Sequence, residues 1–228
     1  DGERAAPLAP DHAVLVAGPA GTWLLWEGRR SAIDLRDQAV TGALGLGTNI
    51  PAAQPISVGL FNTIPEGAPL RAPVIAGAGE PTSYTLSTPA PVGSVVVAYA
   101  SDNSMQHYAV LNDGLQQVSP VLAALLRNHD SHGLAQAPRL DPDEIAKLPV
   151  SHQLNTEAFP AQRITLTDAA AAPITCLRWT KAADAATSES ALLSGAVLPI
   201  DEDARPVALP PSTTGTASRV VLPVGSGY

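Results

Sequence analysis

The sequence predicts an α+β fold, mainly β, and three observations predict it. The 22 prolines among 228 residues are about twice the average share, which argues against long helices and for many short, punctuated elements. Twice, a run of β-branched and aromatic residues meets a Gly-bearing turn, the usual signal of a hairpin. Two stretches also share one order of features at a separation of about 82 to 86 residues, the mark of an internal repeat.

The first stretch opens with Ala13-Val14-Leu15-Val16, loops at Gly18-Pro19-Ala20-Gly21, continues as Trp23-Leu24-Leu25-Trp26 and turns at Glu27-Gly28. The second opens with Val95-Val96-Val97, loops at Ser101-Asp102-Asn103-Ser104, continues as Tyr108-Ala109-Val110-Leu111 and turns at Asp113-Gly114. Each hairpin leads into a helix. The first runs from Asp37 to Leu44 and stops at Gly45; the second follows Ser119-Pro120 and stops near Asn128. Ser119 suits the N-cap, where its hydroxyl accepts from free N–H groups, and Pro120 suits the first helical position. A shorter helix follows in both stretches. Ser57 matches Asp141 as N-cap, Ile64 matches Leu148 as inward apolar residue, and Pro65 matches Pro149 as terminator, all at a spacing of 84.

Between the two stretches, Thr82, Tyr84 and Leu86 alternate like a strand, flanked by turn-rich Ala76-Gly77-Ala78-Gly79 and Pro89-Ala90-Pro91. Beyond the second stretch, Arg163-Ile164-Thr165-Leu166-Thr167 and Ile174 to Trp179 read as strands that belong together, a core from which both repeats project. The tail offers two more strands, 191–200 and 219–224, around a proline-rich loop.

Charge narrows the function classes. The net charge is −8, and the lysines are Lys147 and Lys181, so no basic stripe is present to neutralise phosphates and nucleic acid is not an expected partner. The acidic run Asp201-Glu202-Asp203 reads as a solvated turn. No apolar stretch approaches the eighteen or so residues of a membrane helix, and no signal segment opens the chain. Both ends read as cuts in a longer polypeptide, which would place any membrane anchor before Asp1. Cys176 stands alone, either as a small buried hydrophobe or as half of a disulfide completed elsewhere.

Catalytic patterns are sparse. A phosphate cradle needs Gly-x4-Gly-Lys followed by Ser or Thr, and neither lysine follows a glycine. The run Gly42-Ala43-Leu44-Gly45-Leu46-Gly47 therefore reads as a helix end and loop. Ser226, in a terminal Gly-Ser-Gly, lacks the Gly-x-Ser-x-Gly elbow of a hydrolase. His129-Asp130-Ser131-His132 holds possible Zn²⁺ ligands, but the stretch reads better as a solvated connection after a helix. Asp141-Pro142-Asp143-Glu144 fits a helix start, where carboxylates are favoured by the dipole. Trp23, Trp26 and Trp179 read as core strand residues rather than a sugar-stacking set. No catalytic residue, cofactor-binding residue, metal ligand or cofactor is nominated.

Five segments, in this order, resemble the EccB family of type VII (ESX) secretion systems. They are Gly42 to Gly47; Leu60-Phe61-Asn62-Thr63-Ile64-Pro65-Glu66-Gly67 with Pro73-Val74-Ile75-Ala76-Gly77; Tyr108 to Pro120; Cys176 before Trp179; and Val220-Val221-Leu222-Pro223-Val224-Gly225-Ser226-Gly227-Tyr228. The likeness runs across nearly the whole chain. It implies an elongated, quasi-two-fold arrangement of small repeat domains, similar to a phage lysin's wall-binding subunit, around a central β-rich domain. On that plan the central domain takes 1–11, 79–92 and 161–190, the repeats take 12–78 and 93–160, and 191–228 is a partial C-terminal repeat.

The resemblance further implies a single-pass inner-membrane protein of mycobacterial or related origin whose large domain is periplasmic. Its implied work is scaffolding within a secretion complex, beside EccC, EccD, EccE and the mycosin protease and with self-association. It implies that Cys176 is half of a structural disulfide whose partner precedes Asp1. Wall binding to peptidoglycan is the alternative. The family is also sometimes described as ATPases, a description that finds no phosphate-binding loop here.

Overall fold

The computed structural model describes residues 4–181, 184, 186–199, 205–208 and 219–222. The acidic run 201–203 and the closing residues 223–228 lie outside the described residues. In chain order the elements are β1 (Ala6–Pro7), β2 (His12–Gly18), β3 (Gly21–Trp26), β4 (Arg29–Ala32), α1 (Gln38–Leu44), β5 (Gln54–Pro55), α2 (Val58–Thr63), β6 (Val95–Tyr99), β7 (Met105–Leu111), β8 (Gly114–Val118), α3 (Pro120–His129), α4 (Pro142–Ile145), β9 (Thr165–Leu166), β10 (Ile174–Thr180), β11 (Glu189–Gly195), β12 (Arg205–Ala208) and β13 (Arg219–Leu222). Among the described residues no helix exceeds ten residues, as the proline content demands. The fold is mainly β, and among the described residues no helix is long and apolar enough to cross a membrane.

The elements divide into two compact units, one from residues 1–32, 51–68 and 166–228, the other from 33–50 and 69–165. In the first unit, β4, β3 and β2 form an antiparallel sheet and β5 adds to β2 in parallel. Glu27 and Gly28 join β3 to β4 with φ of +43° and +75°, so both central turn residues carry the positive φ that matches strand twist. Val14, Val16, Leu25 and Ile64 pack with Leu192 in its core. Ser57 caps α2 by accepting from the Leu60 N–H at 3.2 Å. Past that helix, Arg30 N–H donates to the Pro65 carbonyl and Gly67 N–H donates to the Arg30 carbonyl, each at 2.8 Å. The Arg30 guanidinium donates to the Phe61 carbonyl, pairs with Glu66 at 3.0 Å and lies over the Phe61 ring at 4.0 Å. Trp26 is fully buried, and its indole N–H donates to the Ser31 hydroxyl at 3.1 Å. A second sheet runs β1-β11-β10, and β12 pairs with β13.

The second unit has its own hairpin-based sheet. Its sheet is β6-β7-β8, antiparallel, and α3 follows with Ser119 accepting from the Leu122 N–H at 3.1 Å. Past α4, Leu115 N–H donates to the Pro149 carbonyl at 2.8 Å and Ser151 N–H donates to the Leu115 carbonyl at 2.9 Å, the counterpart of the Arg30 ladder. Leu86, Val96, Val110, Leu115 and Leu140 form the core. Helix α1 also belongs here and packs against α3, where the Asn128 amide donates to the Ala39 carbonyl at 3.3 Å.

Several local expectations need correction. Residues 82–86 form no strand, with a bend at 83–84, because the Tyr84 hydroxyl is claimed by the Leu111 and Gly114 carbonyls and the flanking prolines deny a ladder its donors. Asp37 is the N-cap of α1 rather than its first residue, accepting from the Ala39 N–H at 2.9 Å. Asn128 lies inside α3, which ends at His129. The turn after β7 is Asn112-Asp113, and Gly114 already begins β8. Asp141 sits at an N-cap but makes no capping bond; Glu144 instead grips the Ser87 N–H at 2.7 Å. The two flanking strands do not pair with each other: β9 pairs with β2, where Thr167 N–H donates to the Ala13 carbonyl, whereas β10 pairs with β11.

Candidate functional site

A recess lies in the second unit, between one face of its sheet and α3. Val97 and Tyr99 on β6 face the same way as His107 and Met105, their register partners on β7. Across from them α3 presents Pro120, Ala123 and Ala124, whose short side chains leave a gap that a larger residue would close. The result is an open groove of about 600 Å³. Its size suits a ligand or peptide segment.

Arginines rim this gap. Arg127, Arg139 and Arg163 line it, and among the described residues no carboxylate does. Arg127 donates to the Ala135 carbonyl at 3.1 Å, and Arg139 lies over the Tyr99 ring at 4.7 Å. Burial, with the Arg127 charge nearby, pushes the His107 imidazole below its ordinary range. The Arg163 stem crosses Gly45, where a Cβ would sit 2.9 Å from Cδ; Gly45 caps α1 at φ +78°. The arrangement offers N–H donors and positive charge to an anion, together with an apolar wall. It holds neither a nucleophile paired with a base nor a pair of carboxylates.

The residues singled out from sequence are dispersed. Gly42 and Leu44 lie within α1 and Gly45 is its C-cap, so the glycine run sits at the carbonyl end of a helix, as a helix end and loop should. His132 does not reach into solvent; its ring fills the space above Gly93, and its backbone N–H donates to the Asp130 carboxylate at 2.7 Å. Trp23 is half-buried and packs edge-on against Phe61 at 5.0 Å. Trp179 departs from the core reading, being 63% exposed near the end of β10, an outer strand of its sheet. Cys176 is half-buried on β10 opposite Leu193, and burial pushes its thiol pKa up. A smaller recess of about 470 Å³ in the first unit is lined in part by Thr167 and Ser194, whose hydroxyls are buried without a partner.

The three arginines escaped the sequence reading because they come from separate stretches. Local spacing gave no signal either: Arg29, Arg36 and Arg139 each have an acid two residues away, Glu27, Asp34 and Asp141, and only the first two pair with it.

Residues 1–228 match the family model described as "Type VII secretion system ESX-1, transport TM domain B". The chain belongs to the EccB family of type VII secretion proteins. It is 57% identical to the "ESX-3 secretion system ATPase EccB3" of Mycolicibacterium smegmatis, covering 100% of this chain and 45% of the relative. Against the protein of the same name from Mycobacterium tuberculosis H37Rv the identity is 52%, over 100% of this chain and 43% of the relative. This EccB chain thus spans about half the length of the curated relatives it matches.

Solved EccB structures agree with the fold. The "EccB3 dimer from the ESX-3 core complex" superposes with a TM-score of 0.87 at 56% identity, covering 98% of this chain and 57% of that one. The "periplasmic assembly from the ESX-5 inner membrane complex" superposes at 0.83 with 29% identity, over 95% of this chain and 53% of that one. The relatives' names carry the word ATPase; in this chain Lys147 follows α4 and Lys181 follows β10, both away from the glycine run in sequence.

Proposed function

We propose that this part of EccB is a structural scaffold in the periplasmic assembly of an ESX secretion complex. The observation that carries the reading is the superposition over 98% of the chain on a solved EccB3 dimer. The chemistry of the groove beside α3 supports the reading, since it offers N–H donors and an apolar wall on which a partner can rest. In this proposal EccB self-associates and works beside EccC, EccD, EccE and the mycosin protease. A membrane anchor outside residues 1–228 holds it at the inner membrane as a single-pass protein.

The domain plan belongs to the same proposal, with 12–78 and 93–160 as repeats of one module carried by a central domain from 1–11, 79–92 and 161–190, and 191–228 as part of a further repeat. Two counterpart ladders, at Arg30 and Leu115, support the kinship of the modules. Cys176 is proposed as half of a disulfide with a cysteine outside residues 1–228. Alkylation of Cys176 in the full-length oxidised protein without prior reduction would refute that pairing.

The scaffold itself is tested by deleting residues 4–195 from full-length EccB and following complex assembly on native gels together with secretion. Loss of both is expected. An intact complex that still secretes would overturn the proposal.

A further inference from the structure

The groove between β6, β7 and α3 concentrates charge that the protein leaves unanswered. Arg127 reaches it from α3, Arg139 from the segment between α3 and α4, and Arg163 from the segment before β9. Among the described residues none of the three meets a carboxylate, whereas Arg29, Arg30 and Arg36 all do. In a chain with 21 acidic and 13 basic side chains, three unpaired guanidinium groups on one recess with no acid in its lining are a departure from the chain's balance. Their mutual repulsion is relieved when an anion enters.

Geometry narrows the kind of anion. Arg139 lies over the Tyr99 ring at 4.7 Å, a contact that limits its freedom and leaves N–H groups for a carboxylate. Limiting that freedom in advance reduces the entropy lost on binding. Beside it Met105 is 49% exposed and, with Tyr99 and the α3 alanines, supplies an apolar wall. A volume of about 600 Å³ exceeds what one small anion needs and suits several residues of extended chain. Nucleic acid fits less well, since the −8 net charge of the whole chain opposes a long polyanion beyond the groove.

We propose that this groove binds a short acidic peptide segment of a partner protein, with carboxylates on Arg127, Arg139 and Arg163 and an apolar side chain against Tyr99 and Met105. The site goes beyond the scaffold reading and is tested apart from it, because the readout is peptide binding and not assembly.

The experiment uses full-length EccB in its purified membrane complex. The probe is a fluorescein-labelled octapeptide of alternating Glu and Leu, and a Lys-Leu octapeptide is the control, both followed by fluorescence anisotropy. The acidic peptide is expected to bind, more weakly as salt rises, and the basic one to fail. Arg139→Gln should weaken binding roughly tenfold, the worth of one charge-assisted contact. Met105→Glu, at an exposed position that folding tolerates, should weaken it comparably by repulsion. Equal binding by the parent and both variants, or no binding of the acidic peptide, overturns the site. Displacement by citrate as readily as by unlabelled peptide would also overturn it, marking a small-anion site only.

Discussion

A methyl group added at Gly114 would meet the Pro149 carbonyl oxygen and lie 2.6 Å from its carbon, closer than any real contact. Because the obstruction is backbone, the 149–151 segment must retreat. Two hydrogen bonds hold that segment on β8, from Leu115 N–H to the Pro149 carbonyl and from Ser151 N–H to the Leu115 carbonyl. At about 0.5–1.5 kcal/mol each, losing both costs about 1–3 kcal/mol. The positive φ of +154° adds roughly 1 kcal/mol for a residue with a side chain. Gly114→Ala should therefore destabilise the second unit by about 2–4 kcal/mol. Gly133→Ala is the control, since Gly133 has φ +77° but open space around it, and should cost only about 1 kcal/mol. Urea unfolding compares the two, and amide hydrogen exchange locates the damage. The Leu115 and Ser151 amides should lose protection while those of α3 keep theirs. Equal destabilisation by the two variants, or unchanged protection at Ser151, would refute the close-approach argument.

Ser31→Ala leaves the fully buried Trp26 indole N–H without an acceptor and should cost about 1–3 kcal/mol by chemical denaturation, with a change in Trp fluorescence. Leu122→Ala removes a side chain that is completely buried on α3 and should cost about 2–5 kcal/mol. Burial pushes the Tyr84 phenol from 10.0 up to about 12, so the folded state keeps a proton that the unfolded state gives up. Its contribution is therefore complete below pH 10 and is lost as the pH rises through about 12, and ultraviolet titration of the parent against Tyr84→Phe should show one late-ionising phenol disappear.

The strands, both hairpins and the main helix caps were legible because their signals are local. A hydroxyl before proline at Ser119-Pro120 and the Glu27-Gly28 turn state their geometry within a few residues. Pro65 and Pro149, set 84 apart, each accept from the N–H of a strand residue. What failed to show was decided by distant partners. Tyr84 alternates with its neighbours as a strand residue would, yet its hydroxyl is claimed by carbonyls at Leu111 and Gly114. Glu144 looks like a helix-dipole carboxylate and is bound to Ser87. Trp179 has the composition of a core residue but occupies an outer strand that leaves it exposed. The groove was illegible for the same reason. Its arginines are ordinary one by one and acquire meaning only when α3 and the sheet bring them together.

Strand β1, near the start of the chain, finds its partner in β11, where Ala6 stands opposite Ser194. A ribosome must therefore synthesise most of this stretch before that sheet can close, and such long-range pairing is intrinsically slow. Meanwhile the Val14 and Leu25 face of the neighbouring hairpin waits without Leu192, its eventual cover. A nascent chain in that state offers sticky surface to its neighbours, so its yield should respond to holding chaperones and to translation speed more than its native stability would suggest.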